Sequence, residues 1–505
     1  MHSPHITRLT LSILLLCHYI TAISQPQLPP LTDSIHSKIL NETRGIQVIM
    51  PDNYKPGSKE KYEIVYILDG EWYYELVPFT YNFAASANYI PKSIFVLIRN
   101  RYLNGVNLRG RDFTPTKVTP DSSTGGADRF YDFVKNEVVP YIEKKYPSNG
   151  QRTLVGSSAS GLFCVYAFVK DPAFFQSYVA SDPSIGYDNN YVPRITKKAL
   201  DDMPASPGTI YIGGLTGTYR FTGIYQFDSV LKAHAPKSLN WKVVNYPDES
   251  HYSVQLKAFY DAFRFSHYGY AQKPPEYHPM TGVIDADKPF MIFFHNDNPG
   301  VRFTIDGSVP DTASRLMLRN ENVMIKAPAT LRLKTFGNRK TYTGEWTSKY
   351  EKGKIEPAKR DQKNNKGLNY MVYKGGWDSI PSNTAMLKAD HSGVADSAFK
   401  FNSLREKVPF LLVVEGMIDV PADAEYVFYA RGYDAIDLSF AGKQLFKTDN
   451  GKMQPSNSYV ASLSKGKYPM RLVISKKSPE PEPDFIIFQS RPGSDKWWER
   501  ELMSF

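Results

Sequence analysis

The chain has 505 residues, room for about three domains at the usual ~150 residues each. Hydrophobic residues make up 42% and charged residues 22%, which is ordinary globular composition and excludes a disordered or fibrous chain. Sixty-one Lys and Arg against 51 Asp and Glu leave a net charge of +10 with no long basic run, which argues against a nucleic-acid partner. Of the two Cys, Cys17 lies in the N-terminal apolar run, so Cys164 stands alone and a disulfide scaffold is excluded.

The N-terminus reads as a targeting segment. Arg8 is the single charge in Met1–Ser24, Leu9–Ala22 is mostly apolar, and Thr21-Ala22-Ile23-Ser24 has the small-x-small pattern that signal peptidase accepts. The run is short for a membrane span. Residues 1–24 are therefore expected to be a signal peptide. The mature chain should carry no membrane span and be secreted or periplasmic after cleavage.

From about residue 35 to 272, buried-strand runs alternate with helical patterns. Ile64–Leu68 and Ile94–Ile98 are continuous apolar runs, the first ended by Asp69-Gly70. Asp128–Tyr146 reads as a helix, with Phe130, Phe133, Val134, Val138, Tyr141 and Ile142 on one face and a bend at Pro140. A short strand Arg152–Val155 follows, then a helix from Gly161. Ser177–Ala180, Thr209–Ile212 and Lys242–Val244 are further strands. Such an order predicts a mostly parallel sheet covered by helices.

After Lys273-Pro274-Pro275 the pattern becomes all-β. Strands are predicted at Phe290–Phe294, Val301–Ile305, Leu331–Thr335, Phe410–Val414, Tyr426–Tyr429, Leu438–Phe440 and Met470–Ile474. The polar stretch 352–366 reads as a linker. The expected division is an α/β domain at 25–274, a β-sandwich at 275–351, the linker, and a second β-sandwich at 367–505.

The strongest chemical signal is Leu154-Val155-Gly156-Ser157-Ser158-Ala159-Ser160-Gly161. A strand, a tight turn with Ser at its apex and a departing helix form the setting of the nucleophile elbow Gly-x-Ser-x-Gly. Gly156, Ser158 and Ser160 occupy the marked positions, so Ser158 is the candidate nucleophile. An activated Ser needs a base. Among His234, His251 and His267, His251 lies in the loop after the last strand, where this chain order places the base. The acid is expected after Thr209–Ile212, but Gly213-Gly214-Leu215-Thr216-Gly217-Thr218 has no carboxylate. Asp182, Asp188, Asp228, Asp248 and Glu249 stay open, with Glu249 preferred for its nearness to His251. A dyad without an acid is a further alternative. The oxyanion hole should use the backbone N–H of Ala159 and one from the loop Gly70-Glu71-Trp72, for which Glu71 is chosen. Trp72, Tyr73 and Tyr74 are candidates to wall an acyl or sugar pocket.

Residues from about 38 to 270 resemble the esterase D-like family, which includes feruloyl and acetyl-xylan esterases, siderophore trilactone esterases and mycolyltransferases. The resemblance is carried by Val65–Gly70, Arg109-Gly110-Arg111-Asp112-Phe113-Thr114-Pro115, Gly125–Phe130, Val139–Ile142, Leu154–Ser158 and Glu249–Val254. It implies an α/β-hydrolase fold with Ser158 as nucleophile and His251 as base, and no metal or organic cofactor. Departures are Ser157 where a His is common, Ser160 for Gly, and the empty acid position. Val301–Pro310, with Asp306-Gly307-Ser308-Val309-Pro310, resembles the C-terminal module of chitobiase-type hexosaminidases. Gly367–Pro492 is similar to protective-antigen-type modules. Calcium-binding members carry adjacent Asp residues; Asp434 stands alone, so no calcium is expected. The reading is an exported serine esterase acting on a carbohydrate-borne acetyl or feruloyl ester. The alternatives are a siderophore or other small-ester hydrolase, and an inactive binding or adhesion protein. Trp346, Tyr370, Tyr373 and Trp377 are the candidate sugar-stacking aromatics, with core packing as their competing role.

Overall fold

The computed structural model describes residues 31–504 except 53, 121–122, 216–219, 272–273, 286–288, 296–299, 340, 359–367, 378, 396–408, 449–453, 478–483 and 491–499. The expected signal peptide and part of the expected linker lie outside the described residues. The chain forms two compact units. One is built from residues up to Ala85 and Pro91–Ser266, the other from Ser86–Ile90 and His267 onward.

The first unit contains eight sheet strands: β1 (Leu31–Ser37), β2 (Glu42–Ile49), β3 (Tyr62–Ile67), β4 (Ser93–Ile98), β5 (Ser148–Ser157), β6 (Ser177–Ser181), β7 (Thr209–Gly214) and β8 (Trp241–Asn245). They form one sheet in the order β1-β2-β4-β3-β5-β6-β7-β8. From β4 to β8 every pairing is parallel, and β2 runs against both its neighbours. The long apolar runs are explained by burial on both faces. Ile64, Tyr66 and Leu68 share one core with Phe130, Phe133 and Phe163. Phe95 meets Tyr81, which in turn meets Phe263. The helices are α1 (Gly70–Tyr73), α2 (Leu76–Ser86), α3 (Arg109–Phe113), α4 (Ala127–Phe133), α5 (Val139–Lys145), α6 (Ser158–Lys170), α7 (Tyr187–Asp201), α8 (Ile224–His234) and α9 (Val254–Ser266). The helix expected at Asp128–Tyr146 runs unbroken from Ala127 to Lys145, with a π-turn at Val134–Val138 joining α4 to α5 just ahead of Pro140. Proline has no N–H to give and crowds the carbonyl four residues back, and the wider turn accommodates it.

Strand β2, second from the sheet edge, is tied to α3 by a charge cluster. Arg44 and Asp112, each 1% exposed, form an ion pair. Glu42 accepts from Arg44 Nε at 2.7 Å and from Arg111 Nη2 at 2.7 Å, and Arg111 Nε donates to Asp112 at 2.8 Å. The Arg44 guanidinium also lies 5.3 Å from the Phe130 ring centroid. Burial by itself would raise the Glu42 carboxyl, but the Arg111 hydrogen bonds and the Arg44 charge hold it below the ordinary value. Removing one partner strands the other in the core. Asp112→Ala is therefore expected to destabilise this unit by about 3–5 kcal/mol, read as a fall in the urea midpoint. An unchanged midpoint would show that the cluster relaxes into water.

The second unit is all-β, as expected, but is divided differently. Strands on either side of the expected linker belong to one nine-stranded sheet. Its centre is Thr281–Ile284, which runs parallel to Glu345–Lys352 on one side and to Gln454–Leu463 on the other. A side chain at Gly282 would collide with the carbonyl of Val460, so this junction needs glycine. The strand Ala424–Tyr433 faces two cores. Tyr426, Phe428 and Ala430 enter one, and Val427 enters the other beside Ile284, Leu331 and Tyr350. A six-stranded sheet, including Leu368–Lys374, Phe410–Val420 and Gly466–Lys476, completes the first of these cores. The beginning of the expected linker is held down. Ile355 N–H donates to Ser462 O at 2.9 Å, Ala358 N–H donates to Lys467 O at 3.0 Å, and Lys354 pairs with Asp423. The four sugar-stacking candidates pack: Tyr373 is buried, and Trp346, Tyr370 and Trp377 lie half-buried against core clusters. The Asp434 carboxylate accepts from Lys477 N–H at 2.7 Å.

Candidate active site

β5 lies in the interior of the sheet between β3 and β6 and delivers Ser158 at its C-terminal end. Ser158 has φ +55°, left-handed backbone that an L-residue adopts at a cost of roughly 1–3 kcal/mol. The surroundings enforce it. A side chain at Gly156 would strike the Ser160 carbonyl, and a Cβ on Gly161 would come within 2.9 Å of Pro183 Cβ. The Ser160 hydroxyl closes the turn. It accepts from Ser157 N–H at 2.9 Å and donates to Ser157 O at 2.8 Å. This explains why Ser160 serves where a second glycine was expected. The close approach falls to Gly161 instead. Beneath the turn, Cys164 is fully buried, and that burial pushes its thiol well up, leaving it inert.

The strand after the elbow supplies the carboxylate. Asp182 follows β6 with φ +38° and is 2% exposed. Its N–H donates to Gly213 O at 2.7 Å, and its Oδ2 lies 2.6 Å from His251 Nδ1. Two residues on, Ser184 N–H donates to Ser158 O at 3.0 Å, so the carboxylate loop is tied directly to the serine.

His251 sits in the loop between β8 and α9, with its side chain 43% exposed. Tyr246 anchors the start of that loop. Its N–H donates to Gly214 O at 2.8 Å, and its hydroxyl lies 2.6 Å from Tyr211 and donates to Asp261 at 2.8 Å. Further along, Ser250 N–H donates to Ser253 Oγ at 2.9 Å, and Gln255 reaches back to His251 O at 3.3 Å.

Glu249, the preferred acid in the sequence, is not beside the histidine ring. It forms an ion pair with Lys257, and that hydrogen bond, with a second from Ser253, lowers its carboxyl pKa. Two residues of separation in a turn send the side chains apart, and a lysine on α9 takes the carboxylate. Asp188 accepts from Thr116 Oγ1 at 2.7 Å, Asp228 pairs with Lys232 at 2.7 Å, and Asp248 is exposed. The carboxylate beside His251 follows the strand before the one after which the sequence placed an acid. Asp182 was among the open candidates, and the signal favouring it is its place directly after a fully buried strand.

Ala159 follows Ser158 in the first turn of α6, and Glu71 lies in α1 after β3. The Glu71 side chain accepts from Asn100 N–H at 3.1 Å. Trp72 and Tyr74 are about half exposed, whereas Tyr73 is buried against Phe259. Tyr252, 81% exposed, stands edge-on to the His251 ring. A cavity of about 380 Å³ lined by Tyr166, Lys170, Ile195 and Asp202 includes none of these residues. Among the described residues no group of three or more His, Cys, Asp or Glu could hold a metal ion, and no helix is long and apolar enough to cross a membrane.

The sheet order, the elbow and the His–Asp pair define the first unit as one of α/β-hydrolase type. Residues 37–191 match the family model described as "Putative esterase". The chain is 30% identical over 169 residues to the siderophore triacetylfusarinine C esterase of Aspergillus fumigatus, covering 32% of this chain and 58% of that protein. It is 28% identical over 171 residues to the ferri-bacillibactin esterase BesA of Bacillus subtilis, covering 31% and 59%. It thus spans somewhat under three fifths of the length of these curated relatives. An IroE-like serine hydrolase from Shewanella oneidensis, of known crystal structure, is 29% identical with a TM-score of 0.43, over 48% of this chain and 82% of that one. The family match and the two curated relatives support an ester hydrolase in the first unit.

Proposed function

We propose that this protein is an exported serine hydrolase of siderophore-type esters. The observation that carries the reading is the 2.6 Å contact between His251 Nδ1 and a buried Asp182 carboxylate, beside a serine held at φ +55° on the neighbouring strand end. With Nδ1–H donated to Asp182, His251 keeps Nε2 as the proton acceptor. Ser158 Oγ attacks the ester carbonyl carbon as its proton passes to Nε2. The N–H groups of Ala159 and Glu71 hold the oxyanion. The carbonyl–oxygen bond of the ester breaks, and the alcohol leaves with the proton from His251. Water, deprotonated by the same nitrogen, then cleaves the acyl-enzyme to the acid and free Ser158.

The choice of a siderophore-type ester over a carbohydrate ester draws on the relatives, which are named for siderophore esters. The burial of Tyr373 and the half-burial of Trp346, Tyr370 and Trp377 against core clusters favour their packing role over sugar stacking. The full chain should hydrolyse a trilactone siderophore such as bacillibactin, or triacetylfusarinine C, at a kcat/KM at least about 100-fold above that on acetylated or feruloylated xylan. Such a ratio needs about 2.7 kcal/mol of differential transition-state binding. Mass spectrometry of the products checks it. Preferential release of acetate or ferulate from the polysaccharide would restore the carbohydrate reading.

A further inference from the structure

We infer that Asp69 and Arg109 form a clamp that positions the oxyanion loop, so that Arg109 acts on turnover without touching the substrate. This rests on the esterase reading above. Asp69 is completely buried and non-glycine, yet it has φ 51° and ψ 42° immediately before α1. A buried carboxylate in left-handed backbone needs strong partners to persist. It has them. Arg109 grips it with two bonds, Nε to Oδ1 at 3.0 Å and Nη2 to Oδ2 at 2.7 Å, and Asn100 Nδ2 donates to Oδ1 at 2.7 Å.

The same three residues hold the rest of the loop. Asp69 O accepts from Trp72 N–H at 2.8 Å, the Arg109 guanidinium lies 4.8 Å from the Trp72 ring centroid, and Asn100 N–H donates to the Glu71 carboxylate. Gly70 presses on the end of β4, where a Cβ would come within 2.8 Å of Leu97 Cβ. Arg109 opens α3, and its N–H is fixed by Asn107 Oδ1 at 2.9 Å. The Glu71 N–H is thereby locked between β4 and α3. A donor aimed at developing charge is useful to the degree that it does not move when the charge appears. A fork of two parallel bonds fixes direction as a single point charge cannot, which is why lysine is a poor replacement.

The test compares wild type with Arg109→Lys in the full chain, using p-nitrophenyl butyrate hydrolysis and inhibition by an alkyl boronic acid, whose tetrahedral serine adduct mimics the oxyanion. Loss of a whole oxyanion donor costs about 10²–10³ in kcat, so a misaligned one should cost about 10- to 100-fold. KM should change less than about threefold, and boronate affinity should fall in parallel with kcat, because only the charged adduct feels the misalignment. A purely structural role would leave the folded variant's kcat and boronate affinity intact. An active wild type with Arg109→Lys within threefold in kcat removes the clamp and leaves the esterase reading standing. A wild type that neither hydrolyses the ester nor labels with a fluorophosphonate removes both. Should Arg109→Lys lack a cooperative melting transition, Asn100→Ala decides. A several-fold kcat loss at unchanged KM supports the clamp, and unchanged kcat overturns it.

Discussion

Ser158→Ala is expected to abolish ester hydrolysis in a protein that still folds. Removal of the nucleophile from a serine hydrolase site costs about 10⁶ in kcat, leaving the residue supplied by binding and the oxyanion hole. Alanine has the same left-handed burden at φ +55° as serine, and Gly156, Ser160 and Gly161 still shape the turn, so folding should be unaffected. The measurement is initial rate on p-nitrophenyl butyrate together with fluorophosphonate labelling, with thermal melting as the control for folding. The label should disappear along with the rate. A folded variant that turns over at the wild-type rate would remove the elbow from the mechanism. His251→Ala should be nearly as damaging, because the serine and its base act as one unit.

Asp182→Asn should lower kcat by about 10⁴ near neutral pH. An amide at 2.6 Å can offer an N–H to His251 Nδ1, which favours the tautomer whose Nε2 already carries a proton and cannot accept one from Ser158. The negative charge that stabilises the imidazolium is lost as well. Glu249→Gln is the matched comparison. It breaks the ion pair with Lys257 on the surface of the loop and should leave turnover within about threefold. Steady-state rates of the two variants, measured side by side, separate the two carboxylates. The opposite ranking would mean that the loop rearranges in the working enzyme. Equal and small losses would mean that His251 acts without a carboxylate.

The parts of this site that were legible in the sequence are those encoded by near neighbours. A strand, Gly156, a small residue on either side of Ser158, and a helix are a local backbone instruction, and the turn forms as expected. The loop with His251 follows a strand and precedes a helix, and it could be found by position. The parallel sheet was legible because strands buried on both faces have to be continuously apolar, as in Ile64–Leu68 and Ile94–Ile98. The same logic explains why β strands of the second unit were recognised singly while the sheet that joins them across residues 352–366 was not. The apolar run Tyr426–Tyr429 marks a strand, but not that Val427 and Phe428 face two different cores.

Other features depended on which strands became neighbours. Asp182 and His251 are 69 residues apart and meet because β6 and β7 pair in register, which puts Asp182 N–H on Gly213 O, while Tyr246 N–H bonds Gly214 O at the head of the histidine loop. No local pattern specifies that meeting. Glu249, two residues from the histidine, is drawn away by a lysine on the next helix. Proximity in sequence sets where a backbone goes. The direction of a side chain is set by the partner that folding brings within reach, and that partner is fixed by sheet order and by helix packing. For this chain, sequence determined the fold class, the tight turn at Ser158 and the loop that carries His251, and tertiary structure decided which carboxylate faces that histidine and that one sheet joins strands from both sides of residues 352–366.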